Sequence, residues 1–343
     1  MSSTEPVPET RMMPGDELSA DDAFLALKHY GRWPLLRDAF VRFRYGDGFS
    51  HSRALALQLC LAIVPFLIAL SGLATDLGAE EGGQIVADSV VALTPGASAP
   101  LVRDLLNEEG GRGGDDEDDD AGELALTLGL ITGMFALTTA MAQIERGANR
   151  IYGVERDRPA LRKYLRAGIL AVVAGLPALG GFLLLVGGRA AGDSAAEQFG
   201  WSGAVRTTWD FVRWPAALLL IVFAVGLLFE QSPRRRQPAL SWLLFGAAIS
   251  TVLWWVASLC LAGYVRFSEG FGATYGPLTA VMGLLLWANL TGIALFYGIA
   301  FAAQLEARRV GVRRPALHDR WHPGSDEGAG GGDGESVLPD PTG

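Results

Sequence analysis

Gln143-Ile144-Glu145-Arg146-Gly147-Ala148-Asn149-Arg150-Ile151-Tyr152-Gly153, continued by Val154-Glu155-Arg156-Asp157-Arg158-Pro159 and Leu161-Arg162-Lys163-Tyr164, is a strongly cationic stretch set between two long apolar runs. At helical spacing Ile144, Ala148, Ile151 and Tyr152 share one side of its first half, and Arg146, Asn149 and Arg150 share the other. Gly153 is a natural helix stop, and Pro159 suits the first turn of a new helix, where a missing N–H has no partner to lose. The stretch therefore reads as helix, short loop, helix. Its surroundings set its purpose.

Those surroundings are apolar. Half of the 343 residues are hydrophobic, 19% are charged and the mean hydropathy is +0.27, a balance that points to a bilayer protein rather than a soluble domain. A crossing of a hydrocarbon core of ~30 Å takes about 20 mainly apolar residues. Six segments qualify, near 54–74, 124–142, 167–187, 214–229, 239–264 and 278–303, and none holds an Asp, Glu, Lys or Arg. The expected fold is an all-α membrane protein, a six-transmembrane-helix bundle over 54–310. Residues 21–53, where Phe24, Leu27, Leu35, Leu36, Phe40 and Phe43 alternate with Lys28, Arg32, Arg37, Arg42 and Arg44, predict cytoplasmic amphipathic helices.

Lys and Arg near span ends stay on the cytoplasmic side. With the N-terminus inside, the cytoplasmic segments hold 22 of the 28 basic residues and the opposite side holds 6, so both termini are expected in the cytoplasm. Residues 1–20 lack periodicity and the apolar core of a signal peptide, and they predict a disordered tail, as do residues 315–343. The long loop at 75–123 carries fourteen acids against Arg103 and Arg112, and 83–93 and 99–106 within it suggest short helices. Its acidic insert, 107–123, reads as a solvated segment, since no turn glycine stands at the spacing of a calcium loop.

The chemistry-bearing residues are sparse. His318 and His322 have the i, i+4 spacing of a helical metal pair but no third ligand near them in sequence. No nucleophile elbow, phosphate-cradling loop or carboxylate–histidine cluster occurs, so neither an enzyme, a metal nor a cofactor is expected. The net charge of −9 argues against nucleic acid as a partner. Cys60 and Cys260 sit within apolar runs as small filler. The absence of ionisable groups at membrane depth disfavours a proton-coupled pump, and neutral Gln58, Thr132, Thr138, Thr139, Ser250, Thr251, Ser258, Asn289 and Thr291 read as interhelix glue. Pro65 interrupts the first span, Pro177 the third, and Gly129 and Gly133 form a close-packing pair.

Three blocks then carry a resemblance: the first-span run 57–66 with Pro65; Asn149-Arg150-Ile151-Tyr152-Gly153-Val154 with Arg158-Pro159; and Tyr275-Gly276-Pro277-Leu278 running into Leu284-Leu285-Leu286-Trp287. Over residues 35 to 310 the chain resembles the YihY/BrkB family of bacterial inner-membrane proteins, which also carries an older ribonuclease BN label. It departs from the family pattern at Gln58-Leu59-Cys60-Leu61-Ala62-Ile63, and at Gly298-Ile299-Ala300, where the family often has an acid. The resemblance implies a multi-pass protein of the plasma membrane, serving envelope integrity and lipid handling or translocation. A non-transporting scaffold is the alternative, and a ribonuclease-type hydrolase is disfavoured. The candidate functional residues are Arg146, Asn149, Arg150, Tyr152, Gly153, Arg158, Pro65, Tyr275, Gly276 and Trp287. Arg162 and Lys163 join Arg146, Asn149 and Arg150 in facing anionic headgroups of the membrane lipids, the expected partners, and a homo-oligomer is compatible with the sequence.

Overall fold

The computed structural model describes residues 4–9, 19–76, 118–154, 157–186, 188–267, 277–312 and 314–316. Nine helices appear among them: α1 (Ala20–Tyr30), α2 (Arg32–Tyr45), α3 (Gly48–Asp76), α4 (Asp118–Tyr152), α5 (Ala160–Val186), α6 (Gly188–Phe199), α7 (Gly203–Gln231), α8 (Leu240–Phe267) and α9 (Pro277–Arg309). The short helices expected in 83–93 and 99–106, the acids before Asp118, and His318 and His322 lie outside the described residues. So do Tyr275 and Gly276.

Five helices, α4, α5, α7, α8 and α9, are long and apolar enough to cross a membrane. The first expected span falls in α3, a 29-residue helix, but the side chains of most of its second half lie outside the described set. Several boundaries differ from the sequence reading. Asp118 to Tyr152 is one 35-residue helix of about 52 Å, so the last acids of the insert and the first half of the cationic stretch belong to the same rod as the second span. The helix that holds the fourth expected span starts at Gly203, well before residue 214. Pro65, Pro177 and Pro215 all lie within continuous helices, so the interruptions expected at the first two do not occur. Prolines are tolerated this way in membrane helices because local adjustments satisfy the freed carbonyl.

The long helices pack in a closed order: α3 on α4, α4 on α5, α5 on α7, α7 on α8, α8 on α9, and α9 back on α3, with α4 also reaching α9. Helix α9 is the pillar. From Ala294 to Ala307 nearly every side chain is buried, alanines alternating with Phe296, Ile299, Phe301 and Leu305. Small residues permit this approach, because a helix ridge of alanine lets neighbouring backbones close in where longer side chains would hold them apart. At Gly246 of α8 and Gly298 of α9 the approach is closest: a Cβ on Gly298 would stand 2.6 Å from the Ser250 Cβ, and one on Gly246 2.7 Å from the Gly298 carbonyl oxygen.

Burial is concentrated at one end of the bundle, called here the basic end, where α4 finishes and α5 begins. Trp242, Arg42, Tyr152, Phe43, Phe229 and Phe296 are among its largest buried side chains. Helices α1 and α2 pack against the same end of α9: the Tyr297 hydroxyl donates to the Leu36 carbonyl at 3.0 Å, Arg308 pairs with Asp38, and Arg309 donates to Asp22 at 3.2 Å. Toward the middle and the far end the helices turn apolar side chains outward, among them Ile131, Phe135, Val173, Leu176, Leu219, Val252 and Leu259. Six residues expected to be a loose tail, Thr4–Glu9, instead lie against the basic end, with Thr4 bridging Ala316 in antiparallel fashion.

Candidate functional site: the ion-paired basic end

Helix α4 ends at Tyr152 through a Schellman turn: the Val154 N–H donates to the Asn149 carbonyl at 2.8 Å and the Gly153 N–H to that of Arg150 at 3.1 Å. Gly153 has φ of +76°, and a Cβ there would meet the Pro6 Cα at 2.7 Å, so both its backbone and its neighbour demand glycine. The chain then crosses to α5, and its polar side chains tie this crossing to the α7–α8 connection. Arg158 donates to the carbonyls of Ser232 (3.0 Å) and Pro233 (2.8 Å) and pairs at 2.9 Å with Glu145, whose carboxylate is 4% exposed. Asn149 donates to Asp157 at 2.9 Å and accepts the Arg234 N–H at 2.7 Å. Lys163 reaches the other Asp157 oxygen at 3.1 Å, and Arg146 stands 3.7 Å from it. Burial raises the Asp157 pKa, but Asn149, Lys163 and Arg146 outweigh it and hold the carboxyl below the usual range.

A second cluster lies beneath the first. Arg235 forks Glu306 at 2.5 and 3.1 Å, the pair being 2% and 0% exposed, and its guanidinium lies 4.6 Å from the centre of the Tyr152 ring. Arg42 is fully buried: Nε donates to Gln304 at 2.8 Å, and Nη1 to the carbonyls of Glu5 (2.9 Å) and Ile151 (3.1 Å). Desolvation lowers its pKa to about 10, against the opposing effect of Tyr152, Glu5 and Glu306, so it keeps its charge near neutrality. Nearby, the Gln143 amide donates to His51 Nδ1 at 2.8 Å. Burial, with Arg150 and Arg146 in support and Asp47 and Asp157 opposed, lowers the His51 pKa.

The sequence-predicted residues thus divide. Arg146 and Arg162 are exposed; Asn149, Tyr152, Gly153 and Lys163 are buried, and Arg158 is nearly so. Asn149 and Lys163, expected to face headgroups with Arg146, are instead buried and bond Asp157, whose own side chain is partly exposed. Arg150 is half-buried, and its carbonyl accepts the Thr4 hydroxyl at 2.7 Å. Pro65 and Trp287 stand elsewhere, Trp287 donating to Ser258 at 3.2 Å, one turn from a Trp254 bond to Thr291 at 3.1 Å. Arg42, Arg235, Gln304 and Glu306 were not anticipated. One signal was available: Arg42 sits at helical spacing between Ala39 and Phe43, on the apolar side of α2, where an unpaired arginine has no place.

Among the described residues no group of three or more His, Cys, Asp and Glu side chains converges as a metal site would require. Apolar helices long enough to cross a bilayer, joined at one end by a buried ionic network, define a multi-pass helical membrane protein. Residues 39–322 match the family model described as virulence factor BrkB, and the chain belongs to that family. Among its relatives, the ribonuclease-like protein YfkH of Bacillus subtilis is 26% identical over 279 residues, 80% of this chain and 96% of that one. A UPF0761 membrane protein of Chromohalobacter salexigens is 27% identical over 84% of this chain and 66% of its own length. The UPF0761 membrane protein NMB0524 of Neisseria meningitidis is 29% identical over 50% of this chain and 41% of its own. No solved structure matches the chain.

Proposed function

We propose that this protein is a non-enzymatic lipid-handling protein of the bacterial plasma membrane, working where its basic end meets anionic headgroups and serving envelope integrity. In this reading α3 carries the first of six spans, near 54–74, and the basic end and both termini face the cytoplasm. The observation that carries it is a belt of exposed cations and exposed aromatic and apolar side chains around that end. Arg44, Arg53, Arg146 and Arg162 are exposed, and with them Trp33, Tyr45, Phe49, Leu161, Tyr164 and Leu165. Such a mixture suits the headgroup level, where aromatic rings span the polar and apolar zones. Each cation there contributes about 1 kcal/mol toward an anionic surface, screened by salt. The buried Arg158, Lys163 and Arg235 take no part in this, because their charges are matched internally.

The test is purification in mild detergent followed by mass spectrometry of the lipids retained, and reconstitution with a fluorescent phosphatidylglycerol whose exchange between leaflets is followed by dithionite quenching. Enrichment of anionic lipid that falls when Arg146 and Arg162 are changed together to Gln, with faster exchange than in empty vesicles, is the expected result. Retained lipid of bulk composition and exchange no faster than in empty vesicles would leave a scaffold as the better description.

A further inference from the structure

The segment Thr4–Pro8 is held in an unusual way. Its own donors bond main-chain acceptors, Thr4 Oγ1 to Arg150, the Glu5 N–H to Pro315 at 3.1 Å and the Val7 N–H to Tyr152 at 3.1 Å. Its acceptors are taken by the two buried guanidiniums: the Glu5 carbonyl by Arg42 Nη1 and the Pro8 carbonyl by Arg235 Nη2, each at 2.9 Å. Beneath this strap, donors outnumber acceptors. Arg42 Nη2, Arg235 Nε and Gln304 Nε2 are buried with no hydrogen-bond partner. Glu306 is occupied by the fork of Arg235, while the three bonds of Arg42 all go to neutral oxygens. A buried cation whose hydrogen bonds all go to neutral acceptors, with the Glu5 and Glu306 carboxylates acting on it only electrostatically, is, beside surplus donors, a site that gains from an oxyanion. The Glu5 carboxylate is the strap's own anion near Arg42.

We propose that Thr4–Pro8 is an internal pseudo-ligand covering an oxyanion clasp formed by Arg42, Arg235 and Gln304, and that a phosphate group takes the clasp when the strap withdraws. Withdrawal frees one N–H of Arg42 Nη1, which keeps its bond to the Ile151 carbonyl, and one of Arg235 Nη2, which keeps Glu306, and these two join the three unpartnered donors in offering bonds to a tetrahedral anion. The phosphate is either that of a lipid headgroup or free in solution, and the clasp chemistry is the same for both. This inference stands apart from the lipid-handling reading, since the clasp is built from buried residues and the belt from exposed ones.

The test uses the full chain with Cys60→Ala and Cys260→Ala, a spin label on Pro6→Cys, and phosphatidylcholine nanodiscs with and without phosphatidic acid. Inorganic phosphate is added to the neutral discs, with chloride at equal ionic strength as control. The label should be immobile alone and become mobile with phosphate. A response to inorganic phosphate assigns a soluble ligand, and a response to phosphatidic acid alone assigns a headgroup. Val7→Pro, which removes the N–H bond to Tyr152, should lower the phosphate needed about tenfold, the effect of losing one bond worth about 1.4 kcal/mol, and Glu5→Gln, which removes the strap's own charge beside Arg42, should lower it as well. Arg235→Lys keeps the charge but not the fork and should abolish the response in protein that still purifies as folded. A label mobile from the outset would overturn the proposal. So would one unmoved by either phosphate source in the wild type and in both strap variants, or one responding equally in Arg235→Lys.

Discussion

Arg158→Ala isolates how far the basic end depends on a single side chain. In the intact protein this guanidinium joins three pieces of chain: the end of α4 through Glu145, its own loop, and the α7–α8 connection through Ser232 and Pro233. Alanine removes two bonds to carbonyls and, more seriously, strips the ion-pair partner from a carboxylate whose other oxygen, Oε1, already lacks a hydrogen bond. Removing one member of a buried pair typically costs about 3–5 kcal/mol, most of it the penalty on the charge left behind. Lys in place of Arg restores that charge but cannot reach Glu145 and both carbonyls from one ammonium, so Arg158→Lys should lose about 1–2 kcal/mol. The origin of the loss is checked by a cycle: in Glu145→Gln with Arg158→Ala the orphan charge is gone, and the double variant should recover at least about 1 kcal/mol relative to Arg158→Ala alone. The assay is equilibrium unfolding by sodium dodecyl sulfate titrated into dodecyl maltoside micelles, read by tryptophan fluorescence. An Arg158→Ala protein within about 1 kcal/mol of wild type, below the range for a broken buried pair, would refute the reasoning.

The packing, titration and orientation of the protein lead to three further expected outcomes. Gly298→Ala places a methyl against the Ser250 Cβ and the Gly246 carbonyl and should destabilise by about 1–3 kcal/mol in the same titration, whereas Gly283→Ala, with nothing within 4 Å of the added carbon, should be near neutral. Stability should fall with acid in two stages: His51, its folded pKa depressed, takes up a proton more readily when unfolded, so stability declines as pH drops below the ordinary histidine value of 6.5. Asp157, also depressed, contributes fully above 3.8 and loses its contribution as pH falls through its lower folded value, so unfolding followed against pH should show His51→Gln removing only the first stage. Cysteine labelling in intact cells should modify Thr207→Cys from outside and spare Arg236→Cys, both positions being exposed in the fold; the reverse pattern would invert the orientation argued from basic residues.

Periodicity and hydropathy suffice for the five long apolar helices, because a segment that must satisfy its own backbone in lipid has few other choices, but not for the short α6, which falls in a stretch read as a connecting loop. They miss where helices end, since the transition from apolar to polar sequence marks the bilayer edge and not the end of the rod; α4 runs ten residues past the last apolar position assigned to its span. The site was legible where chemistry is local. The Gly153 turn depends on adjacent residues and could be read directly. Arg158 stood out only as a cation beside Pro159, without a partner, because Glu145 and the carbonyls of Ser232 and Pro233 lie 13 and more than 70 positions away. Arg42 with Gln304, 262 positions apart, and Arg235 with Glu306, 71 apart, are pairings that only the packing of α2, α8 and α9 creates. The Thr4–Pro8 strap carries no periodicity at all, because its order comes from acceptors offered to arginines elsewhere.

The positive charges of this chain therefore serve two separable purposes. A residue counted as positive by the insertion machinery contributes equally whether it ends exposed or buried, since orientation follows Lys and Arg near span ends. Once folded, the cations of the basic end diverge: Arg158, Lys163 and Arg235 are neutralised by Glu145, Asp157 and Glu306, while Arg44, Arg53 and Arg162 remain on the surface. Lys and Arg are interchangeable for topology and for a screened surface charge, but not where a planar fork meets a carboxylate and carbonyls together. The expected consequence is a split by position. Arg44→Lys and Arg162→Lys should insert, fold and function as wild type, whereas Arg158→Lys and Arg235→Lys should insert with the same orientation and unfold at lower detergent challenge. If exposed and buried positions tolerated lysine alike, the network at the basic end would be a by-product of charge placement, and its forked pairs would have no structural role of their own.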